Sequence, residues 1–187
     1  MRRQEQGATE TRNPEGNTVL QNLRTRPLID SDIDTVRVLR IRSFTELAAH
    51  RYSAAQIRAF AESASSEDYA ATLIGGHMVV ACRPDGRIIG TAGWTTDDAT
   101  HEGAETRIRK VFVCPDHARR GLATTLVRDR EEDARRAGFT RLCVRASLNA
   151  VSLYERLGYR IRREDVMSTP SGVLLPCLFM EKRPEQA

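Results

Sequence analysis

Residues 111–127 read Val-Phe-Val-Cys-Pro-Asp-His-Ala-Arg-Arg-Gly-Leu-Ala-Thr-Thr-Leu-Val, and this run limits the possible folds more than any other. A β-branched, aromatic stretch stops at Pro115, which has no amide to give a sheet ladder. A short polar turn follows. Arg119, Arg120, Gly121, Leu122, Ala123 and Thr124 then open a helix that runs toward Ala137. Gly121 has no Cβ, so a ligand can approach the backbone. The first helical amides have no intrahelical partner and lie at the positive end of the dipole. Arg119 and Arg120 add fixed positive charge. Strand, turn, Gly and helix start in this order form a seat for a pyrophosphate.

The rest of the chain has to fit around that unit. Its 187 residues suffice for one domain with a sizeable core. Lys110 and Lys182 are the only lysines, and the arginines are scattered among acids. Scattered charge reads as a mixed, solvated surface, so neither a nucleic acid nor a membrane is expected as partner. A homodimer is left open. Cys82, Cys114, Cys143 and Cys177 are far apart, without metal-ligand spacing. No metal is expected, and a reducing, cytoplasmic setting is the simplest reading. The N-terminus has arginines but no apolar run after them, so no secretory signal is read there.

Residues 1–17 are polar and without period, and read as a disordered tail before a domain at 18–183. Deleting that tail is expected to leave the thermal midpoint nearly unchanged. The domain begins with a strand over 19–27, followed by a helix after Asp30-Ser31-Asp32. A second helix starts near Ser53, with Ile57, Phe60, Ala61 and Ala64 on one stripe. A hairpin over 77–95 turns at Pro84-Asp85-Gly86. The strand over 106–113 leads into the central turn. The helix after Gly121 is expected to bury Ala123, Leu126, Val127, Ala134 and Ala137, with Arg130 interrupting the stripe. Strand 141–146, a short helix capped by Asn149 and ending at Gly158, and strands at 159–167 and 173–180 follow. Pro176 demotes part of the last strand to an edge or a bulge. Antiparallel strands followed by strand–helix alternation give a mixed α/β (α+β) class.

The turn at 118–123 resembles the acyl-CoA-binding motif of the GNAT superfamily of N-acetyltransferases, an Arg or Gln, two residues, Gly, one residue, then Gly or Ala. Gly121 and Ala123 match; Ala118 departs from the Arg/Gln position. A second segment, Asn149 to Tyr159, resembles the family's Asn…Tyr…Gly-Phe/Tyr segment. Asn149 to Tyr154 is five residues and Tyr154 to Gly158 is four. The order of elements over residues 19–182 also resembles that fold, which implies a mostly antiparallel mixed sheet of about seven strands flanked by about four helices.

The resemblance implies an N-acetyltransferase that moves an acetyl group from acetyl-CoA to a primary amine, on a small molecule or a peptide, by direct attack. It implies that Val111, Phe112 and Val113 pair through their backbone with the pantetheine arm. Val113 would also supply an oxyanion donor. The amides of Arg119 to Thr124 would take the pyrophosphate. Asn149 and Ser152 would flank the pantetheine, and Asn149 would contact it or cap its helix. Tyr154 would be the general acid. A free phenol has pKa ~10 and a thiol ~8.5, so downhill protonation needs a lowered phenol pKa or concerted transfer. The helix start and nearby arginines are expected to lower it.

The base is not legible. Glu105, ahead of the strand, is the candidate where the family often places a carboxylate. Asp97, Asp98, His101 and Glu102 are loop residues. His50, Tyr52 and Trp94 are assigned to the acceptor cleft. His77 and His117 read as strand-start and turn residues. The acidic 96–105 segment offers a cationic amine a partner, although a charged loop is more often only solvated. A non-catalytic acyl-CoA sensor is the alternative. A nucleotide-binding domain is disfavoured because no Lys-Ser/Thr follows Gly121 and no dinucleotide fingerprint is present.

Overall fold

A computed structural model describes residues 23–64, 66–74, 76–95 and 105–183. The tail at 1–17, the start of the first strand, and Asp97, Asp98, His101 and Glu102 lie outside the described residues. The elements are β1 (Arg24–Pro27), α1 (Ile33–Leu47), α2 (Ala54–Glu62), α3 (Glu67–Ile74), β2 (Val79–Cys82), β3 (Ile88–Thr95), β4 (Glu105–Val113), α4 (Leu122–Arg136), β5 (Arg141–Ser147), α5 (Val151–Arg156), β6 (Arg160–Ser168) and β7 (Leu174–Lys182). The strands form one seven-stranded sheet in the order β1-β2-β3-β4-β5-β7-β6. Every neighbouring pair is antiparallel except β4 with β5. The mixed sheet expected from the sequence is therefore present, with α3 as one helix more than expected.

Local chemistry explains the boundaries. Ser53 Oγ accepts from the Gln56 amide at 3.3 Å, and Gln56 Oε1 accepts from the Ser53 amide at 2.9 Å. This reciprocal cap starts α2. α4 stops at Gly138, whose φ of 95° lets the chain reverse.

Successive side chains of β2 point to opposite faces. Val79 and Ala81 pack with Leu122 and Leu126 of α4, whereas Val80 and Cys82 pack with Val36, Tyr69 and Leu73 of α1 and α3. The sheet is thus sandwiched between α4 and the α1–α3 group. α4 buries Leu122, Leu126, Val127 and Ala134, but also Arg130 and Glu131. Ala137 is exposed and Ala123 half-buried, contrary to expectation, because the helix ends at Arg136 and rolls Leu122 inward.

β7 lies between β5 and β6, yet the stretch around Pro176 is an edge, as the sequence suggested. Pro176 is tolerated because β5 pairing ends at Ser147–Cys177, so it has a strand neighbour on one side only. On that open stretch its carbonyl accepts the Tyr52 hydroxyl at 2.9 Å.

Glu131 is buried at 2 % exposure and is held by Lys182 Nζ at 2.7 Å and Arg135 at 3.4 Å. Lys182→Met removes the nearer cation and leaves a buried carboxylate with the weaker contact alone. A loss of about 3 kcal/mol of unfolding free energy is expected. Trp94, the sole tryptophan and 2 % exposed, provides the fluorescence readout. A change smaller than a few tenths of that would mean the pair contributes no net stability.

Candidate active site

The site is created by a seam that closes only partly. β4 and β5 pair over Glu105–Arg107 and Arg141–Cys143, and no further. β4 continues to Val113 and β5 to Ser147 without touching as strands, which leaves a slot in the sheet. A bulge reshapes β4 at the mouth of this slot. Gly93 pairs with Arg109 but Thr91 with Phe112, so β4 carries one extra residue there. Lys110 sits in it with φ of 54°, a conformation that L residues rarely adopt.

A cavity of about 540 Å³ lies along the slot and across the start of α4. Val111, Phe112 and Val113 line it, as do Leu122, Ala123, Thr124, Asn149, Ser152 and Tyr154. Gly121 is the N-cap of α4 with φ of 86°, and Arg119 two residues earlier has φ of 62°. The first intrahelical bond runs from the Thr125 amide to the Gly121 carbonyl at 3.0 Å. The amides of Leu122, Ala123 and Thr124 precede it, and no side chain caps them. They are donors available to an anion. Arg119 lines the cavity, and Arg120 is exposed beside it without lining it.

Two buried polar atoms at this cavity have no partner among the described residues: Asn149 Oδ1 and His117 Nδ1. Asn149 does not cap α5, whose N-cap is Ala150, so of its two expected uses only a ligand contact is still available. His117 escaped the sequence reading because a turn histidine carries no pattern; its burial and the charges of Arg83 and Arg120 hold its imidazole below the usual value. These orphaned atoms, the open amides and the Cβ-free Gly121 fit a long, polar, pyrophosphate-bearing arm such as that of acetyl-CoA.

A second cavity of about 250 Å³ lies toward α1–α3. Phe44, Val111, Phe112, Ser147, Ala150 and Tyr154 line both, so the two cavities meet at the slot. Tyr154 is 4 % exposed, and its hydroxyl makes no hydrogen bond among the described residues. Its ring meets that of Tyr159 edge-on at 5.4 Å. The expected lowering of its pKa is reversed: burial first, then the nearby Glu131 carboxylate, push the phenol up. Arg119 and Arg120 are exposed, and neither offsets the burial.

The remaining assigned residues fall elsewhere. Glu105 sits at the closed end of the seam, where Arg141 Nη1 at 2.9 Å and the Cys143 thiol at 3.2 Å donate to it. Six residues of extended chain separate it from Val111, about 20 Å. It lines neither cavity, and no Asp or Glu among the described residues does. Trp94 is a core residue: its Nε1 donates to Asp133 at 2.9 Å and its ring stacks on His77 at 3.6 Å. Tyr52 is a tie, donating to the Pro176 carbonyl and accepting from the Leu148 amide, each at 2.9 Å. His50 is exposed in the loop between α1 and α2. None of these three lines a cavity. All four cysteines are buried and free. Among the described residues no acidic, His or Cys cluster suits a metal, and no helix is long and apolar enough to cross a membrane.

Known proteins share this arrangement. A GCN5-related N-acetyltransferase from Rhodopseudomonas palustris is 28 % identical and superposes with a TM-score of 0.76, covering 86 % of this chain and 95 % of its own. The PaiA N-acetyltransferase from Thermoplasma acidophilum, solved with coenzyme A, is 17 % identical with a TM-score of 0.68 over 87 % of this chain and 99 % of its own. YncA from Salmonella typhimurium, solved with acetyl-CoA, is 21 % identical with a TM-score of 0.59 over 89 % and 96 %. At those lower identities the likeness is one of fold. No curated protein sequence matches the chain significantly. The family model described as an acetyltransferase (GNAT) domain matches residues 48–168, a span that holds the slot, the glycine turn and Tyr154 alike. The chain belongs to the GNAT acetyltransferase family.

Proposed function

We propose that the protein transfers an acetyl group from acetyl-CoA to a primary amine. One observation carries this reading: the slot joins a cavity ending in open helix amides to a second cavity, with a tyrosine hydroxyl at the junction. The amides of Leu122 to Thr124 and the Arg119 charge hold the pyrophosphate. Asn149 and the free edge of β4 hold the pantetheine amides, and Ser152 flanks them. That edge brings the thioester to the junction and leaves its carbonyl beside the Val113 backbone.

The acceptor enters from the second cavity as the free amine and attacks the carbonyl carbon. The C–N bond forms first and gives a tetrahedral oxyanion beside Val113; the C–S bond breaks as that intermediate collapses. The proton shed by nitrogen is balanced by the proton that sulfur gains. Tyr154 donates its hydrogen bond to the departing sulfur. With its phenol pushed up by burial, it is protonated when the step begins, passes that proton to sulfur in concert with departure, and is reprotonated from solvent. Without a carboxylate at either cavity among the described residues, the amine proton passes to solvent.

Titration with acetyl-CoA, desulfo-CoA and ATP tests the reading, together with thiol release in an acceptor screen. Micromolar acetyl-CoA affinity that weakens as salt is added is expected, since charge supplies much of the seat. Binding without thiol release from any amine would instead support an acyl-CoA sensor. Equal affinity for ATP and acetyl-CoA would remove the pantetheine role of the slot.

A further inference from the structure

The second cavity carries a charge pattern that the transfer reaction does not need. Arg40, Arg107, Arg109, Lys110 and Arg145 line it, from α1, β4 and β5, and no carboxylate among the described residues does. Arg145 is compensated by Asp165 of β6 at 2.9 Å. Arg107 and Arg109 make further contacts of their own. Arg40 and Lys110 are different. Arg40 is 8 % exposed, and its guanidinium donates to the Phe60 carbonyl at 3.2 Å and to Ser63 Oγ at 2.8 Å. It has no carboxylate partner among the described residues. It lies over the Tyr69 ring at 4.5 Å, and Lys110 Nζ lies over the same ring at 4.0 Å. The Tyr69 hydroxyl is buried and has no hydrogen-bond partner among the described residues.

Two cations on one ring repel each other, and burial deprives both of water. A structural strut between α1 and α2 explains Arg40, whose donors meet Phe60 and Ser63. It does not explain Lys110, whose ammonium, among the described residues, meets a ring face alone. The bulge holds a lysine at positive φ to bring it there. Burial, then Arg109 and Arg40, push Lys110 down to about 7, and burial pushes Arg40 down to about 10. A bound anion reverses the sign of that field and keeps both protonated. An amine carrying positive charge alone would add to the repulsion.

We propose that the second cavity takes a small primary amine bearing an anionic group, a carboxylate or a phosphate, held by Arg40, Lys110 and the Tyr69 hydroxyl while its amine reaches the junction at Tyr154. This rests on the acyl-transfer reading above. The size agrees, because a cavity of about 250 Å³ lies below the usual drug-sized range.

Four acceptors test it in pairs: phosphoethanolamine against ethanolamine, and L-glutamate against its dimethyl ester. Within each pair the amine is kept and the anion removed. At least one anionic member should exceed its partner in kcat/KM by about 10-fold or more, the scale of one lost charge-assisted contact. The favoured pair tells phosphate from carboxylate. Lys110→Met should collapse that preference by a similar factor, with acetyl-CoA affinity and the Trp94 unfolding midpoint retained. Both ethanolamine and the ester performing as well as their anionic partners would overturn the proposal. So would a preference that survives in Lys110→Met.

Calorimetric titration of the CoA-loaded protein with phosphoethanolamine and glutamate gives a readout independent of turnover. If no amine releases thiol, the transfer reading fails. The anion site then stands if either compound binds and Lys110→Met weakens it by about 10-fold, and falls if neither binds better than ethanolamine.

Discussion

Gly121→Glu is expected to abolish measurable acetyl-CoA binding. Three effects act together at this residue. A side chain here would occupy the space over the open amides of Leu122 to Thr124. Its carboxylate would itself take those donors and repel the phosphates. The φ of 86° adds about 1–2 kcal/mol of backbone strain for any L residue. Gly121 is exposed, so folding is affected by the strain alone. Gly121→Ala separates the causes, since it keeps the strain and a small Cβ but adds no charge. Weakened yet measurable affinity is expected for Ala, and none for Glu. Parent-like affinity in the Glu variant would move the pyrophosphate seat elsewhere.

Tyr154→Phe is expected to lower turnover by ~100-fold or more. The ring keeps its contact with Tyr159 and its place in the core around Trp94, Val127 and Met180, so stability should change little. The hydroxyl has no protein hydrogen bond to lose. Acetyl-CoA affinity should also move little, because phosphate and backbone contacts dominate it. The raised phenol pKa fixes the sign of the pH dependence. The group remains protonated through neutral and mildly alkaline conditions, so the parent-to-Phe ratio should stay flat between about pH 6 and 9. A ratio that falls toward alkaline pH would mean that Tyr154 ionises there and that the burial argument fails. An activated acetyl donor with a better leaving thiol should narrow the gap. Unchanged turnover would leave thiolate departure unassisted or assign it to another donor.

The parts of this architecture legible in the sequence are those fixed over short range. Pro115, Gly121 and the helix after them impose a strand end, a turn and open amides whatever surrounds them. Ser53, Gly138 and the alternation in 141–146 announce boundaries for the same reason. The place of Tyr154 at the cavity junction was legible because its spacing from Asn149 and Gly158 is set over one short helix. That Trp94, Tyr52 and Glu105 line neither cavity could not be read from the sequence, because their positions depend on register. Whether Trp94 faces the acceptor or the core follows from its pairing with Ile108, and that face is packed by α4. Glu105 looks adjacent to the site when read along the chain, but it belongs to the paired end of a long strand. Lys110 and Arg40 carried no mark at all. One looks like another polar residue in a strand of arginines, and the other like the rim of a helix. Only the bulge and the α1–α3 packing bring them to one ring. The acidic 96–105 segment suggested a cationic acceptor, and the charges that line the described cavity have the opposite sign.

The short pairing between β4 and β5 also bears on how the molecule holds together. Three residue pairs are all that stitch β1–β4 to β5–β7 through the backbone. From the α4 side, Val127 and Ala134 clamp both halves, reaching Trp94 and Ile108 on one and Leu142, Val144 and Met180 on the other. From the opposite side, Tyr52 bonds to Pro176 and Leu148, and Phe44, Phe60 and Phe112 pack with Leu175, so the slot is left open between two side-chain clamps. A ligand lying in that gap behaves as a strand the chain lacks, and its saturation becomes part of the mechanical integrity of the sheet. At a hundred times Kd such a ligand adds about 2.7 kcal/mol to unfolding. The amides of Val111 to Val113 and of Val144 to Ser147 would then slow their exchange with solvent most. A cell poor in acyl-CoA would hold a softer enzyme, more open to proteases, than a cell rich in it.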